Sequence, residues 1–130
     1  MMITANELRK GNWIYIDNGE KPKYAYQVSG HDIDEVETDG SDCFGVPLHP
    51  EILEKCGFVK NRNGEPSIEI NDIASHLELM GGKDNFYYPS FTQTPQGDEE
   101  RSVYFNRINS LHQLQNLYFS LTGQELTITL

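Results

Sequence analysis

The sequence predicts an α+β protein of 130 residues. Three observations carry that expectation. Short runs rich in aromatic and β-branched residues recur between turn signals, the pattern of antiparallel strands. The stretch from Ser110 to Gly123 places Leu111, Leu114, Leu117, Tyr118 and Leu121 at helical spacing, so one face is apolar and must be covered. A shorter helical signal is bracketed by Pro50 and Gly57.

Taken in chain order, Leu8-Arg9-Lys10-Gly11 reads as a turn feeding a strand, Asn12-Trp13-Ile14-Tyr15-Ile16. Asp17-Asn18-Gly19-Glu20 is a turn, since Asn-Gly accepts positive φ. Tyr24-Ala25-Tyr26-Gln27-Val28 alternates and forms a second strand. The acidic segment Asp32 to Asp42 reads as a short exposed strand ending in a loop at Thr38-Asp39-Gly40-Ser41. Residues 6–44 together resemble an SH3-like small barrel or curled antiparallel sheet. Pro50 suits the first turn of the next helix, Glu51 favours the positive end of its dipole, and Gly57 suits its stop. Phe58 then folds back on Leu53, the hydrophobic contact of a Schellman end.

An antiparallel meander follows. Asn61-Arg62-Asn63-Gly64 turns between Phe58-Val59 and Ser67-Ile68-Glu69-Ile70. Leu77 to Met80, Gly81-Gly82-Lys83-Asp84 and Phe86-Tyr87-Tyr88 read as a hairpin. Thr92 to Glu100, holding Pro95 and Gly97, is a loop, and Val103 to Ile108 is a further strand. The opening helix is bounded by a capping box, Ser110 with Gln113, and by Gly123 at its end. The expectation is that its apolar face, Leu117 included, covers the meander, and that Glu125 to Leu130 returns to a sheet edge. The domain reading is one domain, 1–130, with a β part at 6–44 and an α+β part at 45–130.

Composition bounds the function. A hydrophobic fraction of 37% with 11% aromatic residues supports a core in a chain about one domain long. Asp and Glu number 20 against 10 Lys and Arg, a formal charge of −10. That balance argues against ordinary binding to nucleic acid, because phosphate neutralisation needs clustered Lys and Arg. Cys43 and Cys56 make no framework and no C-x-x-C pair, so reduced thiols are expected. The N-terminus lacks a basic region followed by an apolar run, and no apolar stretch is long enough to span a bilayer. A cytoplasmic protein with no membrane association is expected.

Motifs for chemistry fail on spacing. From Asp32, an EF-hand loop finds Asp34 at its third position, but Val36 at the fifth and Glu37 at the sixth. His31, His49, His76 and His112 show no recurring zinc spacing with the cysteines. His112 is expected to hydrogen-bond a neighbour or solvent, and His49 to cap a helix. No G-x-S-x-G elbow or catalytic-cysteine motif occurs, and Gly81-Gly82-Lys83-Asp84 lacks the full phosphate-loop pattern. No catalytic residue, cofactor or metal is expected. The remaining lead is aromatic: Trp13 and Tyr15, Tyr24 and Tyr26, and Tyr87 and Tyr88 are candidates for an interaction surface.

Four blocks carry a resemblance: Asn6 to Ile14, Gly45-Val46-Pro47-Leu48, Glu51 to Phe58, and His112 to Phe119 with Leu121-Thr122-Gly123. Together they resemble a family of small uncharacterised proteins of phages, prophages and mobile elements of Bacteroides-type gut bacteria. Residues 61–107 match it poorly. His49 and Pro50 stand where that family usually has a threonine and an acidic residue. The resemblance carries no activity of its own; with the absence of catalytic spacing and an acidic composition with spare aromatics, it leads to the expectation of a non-enzymatic accessory protein whose partner is another protein. Two rivals are a nucleic-acid-related protein, either an SH3-like binder or an acidic DNA mimic, and an unrecognised enzyme.

Overall fold

The computed structural model describes residues 7–16, 24–29, 43–70, 72–93, 100–128 and 130; the side chains of Tyr24 and of residues 72–74 fall outside that description. The expected acidic strand at 32–42, the turn at 17–20 and most of the loop at 92–100 lie outside the described residues. Three strands, β1 (Trp13–Ile16), β2 (Tyr24–Gln27) and β3 (Cys43–Gly45), form an antiparallel sheet in the order β2-β1-β3. Then come helix α1 (Pro50–Lys55) and five strands: β4 (Val59–Lys60), β5 (Pro66–Ile70), β6 (Asp72–Gly81), β7 (Tyr87–Gln93) and β8 (Arg101–Tyr104). These five make a second antiparallel sheet in chain order, followed by helix α2 (Leu111–Thr122). The α+β class is therefore observed, with both sheets open. The described residues fall into two compact units, one uniting the first sheet with α2, the other holding α1 and the second sheet.

In the first unit, Leu8, Ile14, Val28 and Cys43 form a buried cluster with Ile16 packed against it. Ile14 is flanked by Tyr26 on one side and Gly45 on the other, so these positions share a sheet face. The strand β3 has no counterpart in the sequence reading, because three residues are too few to show a period. Gly45 has a specific task there. A Cβ on it would stand 2.6 Å from Ser110 Cβ, where an isolated bridge pairs Pro47 with Ser110.

Helix α2 has the expected ends. The Ser110 backbone N–H donates to Gln113 Oε1 at 3.2 Å, and Gly123 adopts φ +71° while its N–H donates to the Phe119 carbonyl at 2.8 Å. Its position differs from the expectation. The helix belongs with the first sheet, against β1, and not over the meander. Its buried positions are Leu111, His112, Leu114 and Gln115, whereas Leu117 is half-buried. The reason is polar. Gln115, 2% exposed, accepts the Trp13 backbone N–H through Oε1 at 2.8 Å and donates from Nε2 to the Gly11 carbonyl at 3.2 Å. Its side-chain amide thus bonds the backbone beside β1 as a neighbouring strand would.

Asn116 extends the clamp. Its Oδ1 accepts from Arg9 Nε at 2.9 Å and Asn12 Nδ2 at 3.0 Å, and its Nδ2 donates to the Glu7 carbonyl at 2.8 Å. The Arg9 guanidinium also pairs with Glu125 at 2.6 Å and lies 4.2 Å from the Phe119 ring centre. Three of the four resembling blocks therefore meet here as interlocking structure: the segment before β1, the Gly45 segment and α2.

In the second unit, α1 ends in a complete Schellman motif. The Phe58 N–H donates to the Leu53 carbonyl, the Gly57 N–H to that of Glu54, and Gly57 has φ +95°. Leu53 and Phe58 are both buried, as the motif requires. His49 occupies the N-cap position but makes no side-chain cap; only its carbonyl is used, by the Ile52 and Leu53 N–H groups. Ile70, Leu77, Leu79, Tyr87 and Pro89 are the buried apolar residues of its described strands, and Ser75, Ser90 and Thr92 are buried with them. Pro89 sits in an inner strand, normally excluded because proline lacks an N–H. Its carbonyl accepts from the Phe105 N–H, so its nitrogen faces the β8 side, where the ladder has already ended at Ser90–Tyr104. No bond to β6 is lost. Among the described residues of 125–130 no strand forms where one was expected, although Leu126 and Ile128 are buried in alternation.

Candidate functional site

The second sheet has two chemically distinct faces, fixed by its register. Leu77 pairs with Ile68 and Phe91, placing apolar side chains on one face. The other face carries a row across all five strands: Val59, Ser67, Glu78, Ser90 and Tyr104. The adjacent row on that face is Glu69, His76, Thr92 and Ser102. Thr92 Oγ1 lies 3.0 Å from Ser102 Oγ, and His76 Nε2 lies 2.7 Å from Glu78 Oε1. Side-chain periodicity in a strand brings these groups together: Ser67 and Glu69 are two apart, as are His76 and Glu78.

An open cavity of about 550 Å³ lies at the β4–β6 end of this face, lined chiefly by Val59, Ser67, Glu69, His76 and Glu78 of this face, with Asn61 beside them. Asn61 is held by the turn that follows β4. Its Oδ1 accepts the N–H groups of Asn63 at 2.9 Å and Glu65 at 3.0 Å, and Gly64 supplies the φ of +79° that closes the turn. At the β8 edge of the face, Tyr104 is 69% and Tyr88 52% exposed. A smaller apolar groove of about 260 Å³ runs between α1 and β4–β5, lined by Pro50, Leu53, Phe58, Val59 and Pro66 among others.

The six aromatic candidates do not form one surface. Trp13 and Tyr15 are half-buried and alternate with Ile14, whereas Tyr26 lies opposite Ile14 and so on the other face of the first sheet. Tyr24 pairs with Ile16 on that same face; its side chain is outside the described residues. Tyr87 is 5% exposed and belongs to the core: its ring packs against Gly82, where an added Cβ would come 3.2 Å from Cε1, and its backbone bridges Ile108. Burial pushes its hydroxyl above the ordinary tyrosine value. Tyr88 points the other way, so one of the two consecutive tyrosines is available to a partner. Tyr104 and the Glu69, His76 and Glu78 cluster were not singled out by sequence, although the H-x-E alternation in a strand was a usable signal.

The remaining chemistry-bearing groups are internal. Cys43 and Cys56 are both buried and not joined in a disulfide, and burial pushes the Cys56 thiol up to about 12, which makes it a poor nucleophile. Among the described residues no group of three or more His, Cys, Asp or Glu is placed to hold a metal ion; the acidic segment Asp32 to Gly40 lies outside them. Gly81 and Gly82, with φ of +95° and +105°, lead into a 3-10 turn (Lys83–Asn85) of the β6–β7 hairpin. Among the described residues no helix is long and apolar enough to cross a membrane.

His112 is not hydrogen-bonded as expected. It is 2% exposed, neither ring nitrogen has a hydrogen bond, and Nε2 stands 3.5 Å from Glu7 Oε1. That separation is a charge contact more than a formed bond, so Glu7 offsets only part of the burial penalty, and the imidazole titrates below its ordinary value. The unfolded chain therefore takes up a proton at this site that the folded chain resists. Stability is full above the ordinary histidine value of about 6.5 and falls as pH drops below it. Thermal unfolding of His112→Gln between pH 7 and pH 5 is expected to show a shallower loss than the native chain; equal slopes would remove His112 from the account.

Comparison of the chain with models of protein families, with curated proteins and with solved structures finds no match.

Proposed function

We propose that the protein is a non-enzymatic interaction module, an accessory protein of a phage or mobile element acting in the cytoplasm, and that it docks a partner protein through its second sheet. The observation that carries this reading is the β8 edge. All four residues of β8 are exposed, Val103 at 56% and Tyr104 at 69%, with Tyr88 beside them. An unprotected edge bearing apolar and aromatic groups is a template for an added strand and a seat for side-chain anchors. The charge of −10 supports a protein partner over phosphate. The three antiparallel strands of the first sheet support an SH3-like N-terminal part within the same reading.

Affinity capture from host lysate, comparing the native chain with a Tyr88→Ser/Tyr104→Ser variant, tests the reading. A stoichiometric protein partner retained by the native chain and lost by the variant is expected. Retention by both overturns docking at this edge, and a mobility shift of DNA at low salt would favour the nucleic-acid reading. One observation favours an enzymatic reading: His76 and Glu78 paired at 2.7 Å in an open cavity. Turnover of an activated ester abolished by His76→Gln would support it.

A further inference from the structure

Resting on the docking reading, we infer that the cavity over β4–β6 is the seat for an arginine side chain of the partner, presented on an extended segment. The face that holds the cavity carries Glu69 and Glu78, and among the described residues it carries no Lys or Arg: Lys60 and Arg101 fall at register positions of the opposite face, paired with Pro66 and Gln93. The two carboxylates flank one imidazole. Glu69 lies directly across from His76, and Glu78 lies two residues along the same strand, its Oε1 2.7 Å from His76 Nε2. His76 thus fixes the rotamer of Glu78 and leaves the second carboxylate oxygen for a ligand.

A guanidinium suits this arrangement because its planar fork donates to two carboxylates at once, where an ammonium offers a single point charge. Ser67, opposite Glu78, adds a neutral oxygen at the rim. The volume of about 550 Å³ admits the whole side chain and the backbone on either side. On the same face, two strands across from Glu78, Tyr104 is exposed to a further side chain of the segment.

The test uses the full chain and a short extended peptide alternating arginine with serine, followed by amide shifts in NMR and by titration calorimetry. The expected result is saturable binding with shifts centred on Ser67, Glu69, His76 and Glu78. Binding should fall roughly tenfold or more in Glu69→Gln/Glu78→Gln, and stay within about twofold in Glu51→Gln/Glu54→Gln, which removes the same charge from exposed positions of α1. The lysine version of the peptide should bind more weakly. Absence of saturable binding, equal losses in the two variants, or saturable binding of single-stranded DNA to the same amides each overturns the inference. A partner captured through Tyr88 and Tyr104 yet indifferent to Glu69→Gln/Glu78→Gln overturns the arginine seat alone and leaves the docking reading standing; an edge-independent partner overturns the docking reading itself.

Discussion

Gln115→Ala is expected to lower stability by about 3 kcal/mol or more, a larger loss than any surface polar substitution should give. Two effects add. Truncation leaves a cavity at a position only 2% exposed, and it strands the Trp13 backbone N–H, whose partner is Gln115 Oε1. The Gly11 carbonyl is less affected, because Gln27 Nε2 also donates to it at 3.1 Å. Gln115→Met separates the two effects, since it fills the space and removes only the hydrogen bonds. It should cost about 1–3 kcal/mol, most of it from the orphaned N–H. Thermal or denaturant unfolding reads both values; a native-like Gln115→Met would show that this amide is not a structural bond.

Gly45→Ala is the second large effect, expected at about 1–3 kcal/mol from overpacking. The added Cβ is fixed by the backbone and meets Ser110 Cβ at 2.6 Å, with Oγ at 3.1 Å and His112 Cε1 at 3.5 Å, so no rotamer change relieves it. Either β3 moves away from β1 or the start of α2 moves away from β3. A double substitution tests the geometry, because Ser110→Gly removes the opposing Cβ. Unfolding of Gly45→Ala/Ser110→Gly should show a smaller loss than the sum of the two single losses. Strict additivity would mean that the two positions do not press on one another.

Local signals in the sequence were legible where a few adjacent residues decide the outcome. Gly57 and Phe58 announced the Schellman end of α1, Ser110 and Gln113 the capping box, Gly123 the stop, and Gly81-Gly82 the hairpin. The seat of α2 was not legible. Counting apolar residues placed Leu117 at the centre of the buried face, whereas two polar residues, His112 and Gln115, are among its most buried. Polarity scales treat glutamine as a surface residue, and only its partners some hundred positions away make it a core one. Strand lengths suffered similarly: Pro89, Ser90 and Thr92 of β7 hid a strand that tertiary pairing supports. The candidate site was legible in part. Tyr88 was named, Tyr87 proved internal, and the carboxylates around His76 come together only through the pairing of β5 with β6.

Because α2 completes a sheet that begins the chain, with bonds from Arg9 and Asn12 reaching Asn116, the first unit is discontinuous in sequence, with Leu48–Asn109 of the second intervening along the chain. During synthesis, the strands of the first sheet leave the ribosome long before the helix that holds them. The meander, whose strands pair with their sequence neighbours, closes only short loops and is expected to form first. The first sheet then waits, with its helix-facing backbone unpaired, until nearly the whole chain is available. Ribosome-bound chains stalled before residue 110 should therefore protect the β5–β7 amides from exchange while leaving those of β1 open.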